Sequence, residues 1–115
     1  MKIFYIPKER ILCAAIWYKE LPLKKDDFPE GFCRPKNCDK GIVFCGHRHH
    51  NCLYQKVALT GLADHESGKN IQGFLTNDNR FVDRKEALEI AKKAKQVDET
   101  NLGNPLIGLF SEDLY

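Results

Sequence analysis

The sequence predicts an α+β fold: one mixed or antiparallel sheet of about four to six strands, with two main helices covering a face. Three features predict it. Apolar runs of strand length recur, as in ILCAAIWY at 11–18 and GIVFC at 41–45. A strand, a glycine, a polar cluster and a helical stretch follow one another across 41–62. A turn signal at Asn77-Asp78-Asn79 leads directly to a helix start at Asp83. The 115 residues suit one domain spanning 1–115.

In chain order, MKIFYI reads as a first strand that Pro7 stops. ILCAAIWY is apolar and too short for a typical buried helix, so it reads as a buried strand. Its neighbours Trp17 and Tyr18 then point to opposite faces, one into the core and the other toward a subunit or a ligand. LPLKKDDFPEGFCRPKNCDKG, at 21–41, is a polar connection with three of the five prolines and a hairpin or short strand inside it. GIVFC follows as a strand broken by Gly46. NCLYQKVALTGL, at 51–62, reads as a helix with Asn51 as one cap and Leu53, Val57 and Leu62 on its apolar side.

ADHESGKN is a loop, and QGFLTNDNRFVD makes two short strands around the asparagine turn. Asp83 and Glu86 have the spacing of a capping box, and Val82 and Ala87 that of a hydrophobic staple. The helix they begin carries Ala87, Ile90, Ala91, Ala94 and Val97 on one stripe and ends near 96–98. DETNLGNP is a loop, and PLIGLFSEDLY is a short strand or a packed tail.

Composition narrows the function classes. Residues 1–60 hold 11 basic and six acidic side chains, a net +5, and residues 61–115 hold seven and 10, a net −3. This balance does not suit a binder of double-stranded nucleic acid. A small anionic ligand needs only one or two placed arginines. No run approaches the roughly 20 apolar residues of a membrane span, and MKIFYIPKER lacks the features of a secretory leader. The expectation is an intracellular protein with no membrane partner and mostly reduced thiols.

The five cysteines are Cys13, Cys33, Cys38, Cys45 and Cys52. With His47, His49 and His50 they offer zinc ligands, yet no C-x-x-C pair, H-E-x-x-H or zinc-deaminase motif occurs. Metal and cofactor are therefore both expected to be none. A zinc-stabilised interaction protein using Cys33, Cys38, Cys45 and Cys52 is one alternative. Cys45 and Cys52 otherwise read as small buried hydrophobes, as does Cys13. A small phosphodiesterase or nucleotide hydrolase using His47, His49 or His50 with an acidic partner is the other alternative.

The same cluster also suits an anion. Arg48 stands between His47 and His49-His50 beside a helix start, where free N–H groups and the dipole favour negative charge. A guanidinium there can grip a phosphate with two parallel hydrogen bonds, and His47 or His50 can donate to it or stack on a base. On the hairpin, Phe74 and Thr76 share a face, and Phe74 suits base stacking. Asn79, Arg80 and Arg84 flank the hairpin end and the next helix start. Ser111 and Asp113, with Glu112 between them, can accept ribose hydroxyls or a base amino group. Each residue also has an ordinary reading: solvated cap, core aromatic, turn residue or surface ion pair.

AAIWYK, GIVFCGHRHHNC, QGFLTNDNRFVDRKEA and LFSEDLY together resemble small bacteriophage proteins. The arrangement is similar to the anti-Thoeris sponge family, which sequesters cyclic ADP-ribose signals of a bacterial defence system. The resemblance covers about residues 1–20 and 40–115. It implies an α+β fold assembled through dimers into a homo-oligomer, a hexamer by expectation, in the cytoplasm of the infected host. It also implies pockets at subunit contacts, separate sites for cyclic oligonucleotides, and no catalysis. The expected ligand-binding set is His47, Arg48, His50, Phe74, Thr76, Asn79, Arg80, Arg84, Ser111 and Asp113, with no catalytic residue.

Overall fold

A computed structural model describes residues 8–21 and 34–115. The strand expected at 1–6, and the hairpin or strand expected within 21–41, fall largely outside the described residues. The described chain is α+β: one four-stranded antiparallel sheet in the order β2-β1-β3-β4, with helices against it.

Strand β1 (Ile11–Tyr18) forms where the apolar octapeptide predicts it. It is central, pairing with β2 (Ile42–Gly46) on one side and β3 (Asn70–Thr76) on the other. Both neighbours run opposite to β1. Helix α1 (His49–Thr60), which joins β2 to β3, therefore crosses the sheet face over β1. The β3–β4 hairpin closes at 77–80, where Asn79 takes a positive φ of 54° and β4 (Phe81–Asp83) begins.

The turn is fastened to the chain before β1. Asn77 Oδ1 accepts from Arg10 N–H at 2.7 Å, and Asn77 Nδ2 donates to the Lys8 carbonyl at 3.1 Å. Gly73 lets β4 lie close against β3, because a Cβ there would stand 2.0 Å from the Val82 carbonyl oxygen. The Asn37 amide bonds both backbone groups of Phe81, at 2.6 and 2.8 Å, and so covers part of the outer edge of β4.

Helix α2 (Arg84–Lys93) starts as its sequence signature predicts: the Asp83 carboxylate accepts from Glu86 N–H at 2.8 Å. Only half of the expected capping box forms, since the Glu86 side chain turns to Arg80 at 3.1 Å. The helix stops at Lys93, short of the expected 96–98, and Lys95 then takes a positive φ. The tail forms neither a strand nor plain coil along its length. It ends in a short helix, α3 (Ser111–Leu114).

Both faces of the sheet bury apolar side chains. On the helix side, Ile11, Ala14, Ile16, Tyr18, Phe44 and Phe74 pack with Val82, Ala87, Leu88, Ala91 and Leu109. On the other side, Ala15, Trp17, Cys38 and Phe81 pack with Val43, Cys45, Ile71 and Leu75. Trp17 and Tyr18 do take opposite faces, and both are buried. Trp17 Nε1 donates to the Lys40 carbonyl at 2.8 Å, which fixes the indole within the fold.

Helix α1 buries Cys52 and Lys56 and leaves Val57 exposed, against the expected Leu53, Val57 and Leu62 stripe. The reason is polar. Lys56 reaches inward to the Ser67 hydroxyl at 2.9 Å and the Leu62 carbonyl at 3.0 Å, with its ammonium near the Tyr18 ring. Partners that arrive from the next loop make a lysine a core residue here.

Candidate functional site

The expected anion cluster forms where β2 leaves the sheet. Gly46 permits a close approach to Asn51, whose Cβ would stand 2.9 Å from a Cβ on the glycine. Arg48 is the extended N-cap of α1. Asn51 Oδ1 accepts from Arg48 N–H at 2.9 Å, so the asparagine caps the helix from inside its first turn. The helix begins two residues earlier than the sequence suggests, and this places His49 and His50 on it.

His49 points back to the sheet. Its Nε2 lies 2.8 Å from the Gly73 carbonyl oxygen, and its ring meets Phe74 edge-on at 5.2 Å. A carbonyl accepts only, so Nε2 carries the proton and Nδ1 is left to accept from Arg84 Nη2, 3.5 Å away. Burial lowers the His49 pKa, and the nearby Arg84 charge adds to that; the Gly73 bond and Glu112 oppose it.

Arg84 opens α2 and holds three segments together. It donates to the Leu109 carbonyl at 2.8 Å and to Gln72 Oε1 at 2.7 Å, with its guanidinium 4.2 Å from the Phe110 ring centre. Gly108, at φ 133°, lets the tail run against Arg84, where a Cβ would come within 2.4 Å of backbone. Burial lowers the Arg84 pKa against the opposing charges of Glu112 and Asp113.

The tail then returns to Arg48. Asp113 accepts from Gly103 N–H at 3.0 Å and Phe110 N–H at 2.9 Å, which fixes α3. Tyr115 stacks on His47 with ring centres 4.3 Å apart, and its backbone carbonyl accepts from Arg48 Nη2. The other terminal nitrogen of Arg48, Nη1, is shielded from solvent and makes no hydrogen bond. Its carboxylate neighbour is Glu112, 4.0 Å away with a largely exposed side chain.

The result is a cluster of His47, Arg48, His49, Arg84, Phe110, Glu112 and Tyr115, drawn from two helix starts and the tail. A family model described as phage T4 y16D protein matches residues 10–115. The chain belongs to the phage T4 y16D protein family. The matched span holds every described strand and helix and all seven cluster residues, so the y16D family is defined over the whole of this architecture. No curated protein and no solved structure matches the chain. Among the described residues, no helix is long and apolar enough to cross a membrane.

Within this y16D-family chain the expected binding residues part company. His47, Arg48 and Arg84 come together, with Asp113 spent on the two backbone caps and Ser111 buried beside it. His50 is exposed, edge-on to Tyr54 at 5.9 Å. Phe74 is fully buried under the helices, so its faces belong to the core and are not open for stacking on a base.

Thr76 is buried and donates to Glu9 at 2.7 Å. Arg80 grips the same carboxylate through two nitrogens, at 2.8 and 2.7 Å. These pairs occupy the hairpin end and account for both residues structurally. Asn79 serves the turn and also lines a separate groove of about 220 Å³ with Arg34, Pro35, Val43, Cys45 and Leu75. Among the described cysteines, Cys52 lies on the helix face and Cys38 and Cys45 on the other, so these three do not converge on one metal. No group of three or more His, Cys, Asp or Glu among the described residues is placed to hold a metal ion.

Sequence reasoning missed His49 as a structural fastener, along with Gln72, Phe110 and Tyr115. Phe110 and Tyr115 carry no local motif. Their only signal is an aromatic at each end of FSEDLY, and it acquires meaning once the tail is known to reach α1 and α2.

Proposed function

We propose that this phage-family protein binds a small phosphorylated, ring-bearing signal without breaking it, and so withdraws that signal from bacterial anti-phage defence. Cyclic ADP-ribose isomers are the ligand class, with cyclic oligonucleotides as a second class. The work takes place in the infected host's cytoplasm, by a homo-oligomer that closes its pockets at contacts between copies. The similarity of the chain's motifs to the sponge proteins supports this choice of ligand.

One observation carries the reading. Arg48 Nη1 is a charged donor with no hydrogen bond, set beside the stacked His47 and Tyr115 rings. Glu112, at 4.0 Å, is a loose counter-ion that an incoming phosphate can displace. A phosphate bonded to Arg48 gains roughly 1.5–3 kcal/mol per charged hydrogen bond. A base stacked on His47 or Tyr115 adds about 1–3 kcal/mol. Arg84 is fully occupied by Leu109, Gln72 and Phe110, so its role is to hold the tail in place.

The test is mass spectrometry of the protein incubated with a panel of cyclic nucleotides. Native spectra are expected to show a stable complex, and denaturing spectra to return the ligand unchanged. Arg48→Ala is expected to weaken binding roughly 10- to 100-fold, the equivalent of one lost charged hydrogen bond. Multiple turnovers per site, or an Arg48→Ala protein that binds like the wild type, overturns the proposal.

A further inference from the structure

The sheet face away from α1 and α2 carries a feature that the ligand site does not use. Cys13 lies in β1 and Cys45 in β2, where Cys45 pairs directly with Ala15. Side chains alternate along a strand, so Cys13 and Ala15 share a face and Cys13 is the diagonal neighbour of Cys45. The two thiols are hydrogen-bonded to each other, and Gly46 N–H adds a bond to the Cys13 sulfur. Both cysteines are free and partly exposed. Cys45 also lines the groove of about 220 Å³, which gives a small reagent a way in.

We propose that Cys13 and Cys45 form a peroxide-oxidisable dithiol, with Cys13 as the attacking sulfur and Cys45 as the one that closes a reversible disulfide. The Cys13 thiolate displaces the distal oxygen of hydrogen peroxide: an S–O bond forms, the O–O bond breaks, and with one proton the leaving hydroxide departs as water. Cys45 sulfur then attacks the Cys13 sulfenic acid. The S–S bond forms, and the S–O bond breaks as the hydroxyl leaves with the Cys45 proton as a second water. Two equivalents of an external thiol return two electrons and two protons, and leave as their own disulfide.

The geometry assigns the two roles. Cys13 receives two hydrogen bonds, from Cys45 and from Gly46, which brings its pKa down to about 7. Cys45 supplies one of those protons, and its own pKa is raised as a result. Cys52 is buried and pushed up to about 11, while Cys38 is raised by burial and by Asp39. Neither is a comparable thiolate near neutral pH. Diagonal partners sit about 7–8 Å apart, at the long end of what a disulfide spans, so the bond is strained and readily reduced. It would tie the edge strand β2 to β1 just before the loop that carries His47 and Arg48.

The experiment treats the full chain with hydrogen peroxide at neutral pH, followed by intact mass measurement and peptide mapping. The expected product has lost two hydrogens, maps to Cys13–Cys45, and returns to the starting mass with dithiothreitol. In Cys45→Ser the reaction is expected to stop at a sulfenic acid on Cys13, trapped as a dimedone adduct. Alkylation of Cys13 by iodoacetamide is expected to titrate with a midpoint near about 7 in the wild type, and to move to higher pH in Cys45→Ser. A disulfide that maps to any other pair, or a wild-type protein whose Cys13 resists peroxide while free thiols in urea react, overturns the proposal. The wild-type map decides the matter even where a variant fails to fold.

Discussion

Replacing Arg80 by alanine separates structural from binding arginines. Arg80 makes two bonds to Glu9, at 2.8 and 2.7 Å, and one to Glu86 at 3.1 Å. The Arg80 and Glu9 side chains are 29% and 22% exposed, so the pair is mostly covered without being sealed. Exposed pairs contribute about 0.2–1 kcal/mol, and breaking a buried pair costs about 3–5 kcal/mol. The two-nitrogen geometry, the partial burial and the Thr76 bond to the same carboxylate place Arg80→Ala between these limits, at about 1–2 kcal/mol.

With a urea dependence of about 1.5 kcal/mol per molar, that cost moves the unfolding midpoint down by roughly 1 M. The assay is urea unfolding followed by far-ultraviolet circular dichroism at neutral pH, repeated under acid conditions. Arg80 holds the Glu9 carboxyl below its ordinary value of 4.5, chiefly through the side-chain hydrogen bond. A group whose folded pKa is depressed adds stability above its unfolded value and loses it as pH falls through the folded value. The wild-type advantage over Arg80→Ala should therefore be full at neutral pH and shrink below about 4.5. An unchanged midpoint, or an advantage that persists when Glu9 is protonated, refutes the ion-pair account. A variant of normal stability that loses ligand binding would return Arg80 to the binding set.

Three further outcomes follow from the same geometry. Gly73→Ala should cost about 3 kcal/mol or more, because the added Cβ meets the Val82 carbonyl oxygen at 2.0 Å. Gly61→Ala, with open space around its Cβ but a φ of 69°, should cost about 1 kcal/mol in the same urea titration. Lys56→Ala should lower stability by about 2–3 kcal/mol by thermal or urea unfolding, since it strips the Leu62 carbonyl and the Ser67 hydroxyl of a buried charged donor. Asp83→Ala should cost about 1 kcal/mol and show as faster amide exchange confined to the first turn of α2, through loss of the bond to Glu86 N–H.

Much of the fold was legible in local chemistry. An apolar octapeptide became β1 at its predicted bounds, the asparagine-rich turn closed the hairpin, and Asp83 capped α2 through the bond its spacing suggests. These features rest on backbone preferences and on hydrogen bonds only a few residues long, which the order of residues encodes directly. The face of α1 was not legible. Lys56 is inside and Val57 outside because Ser67 and the Leu62 carbonyl, supplied by the following loop, satisfy the ammonium.

The candidate site divides the same way. The chain order alone placed His47 and Arg48 beside a helix start, and it supplied Arg84 at another. Only the folded molecule joined them to Phe110 and Tyr115, since the Arg48–Tyr115 contact spans 67 residues of chain. It also withdrew Phe74, which fills the core, and Arg80, which is held by Glu9. A side chain's type states what it can bind. Which partner reaches it first depends on strand order and on the path of the tail, and those are set by burying both faces of one sheet.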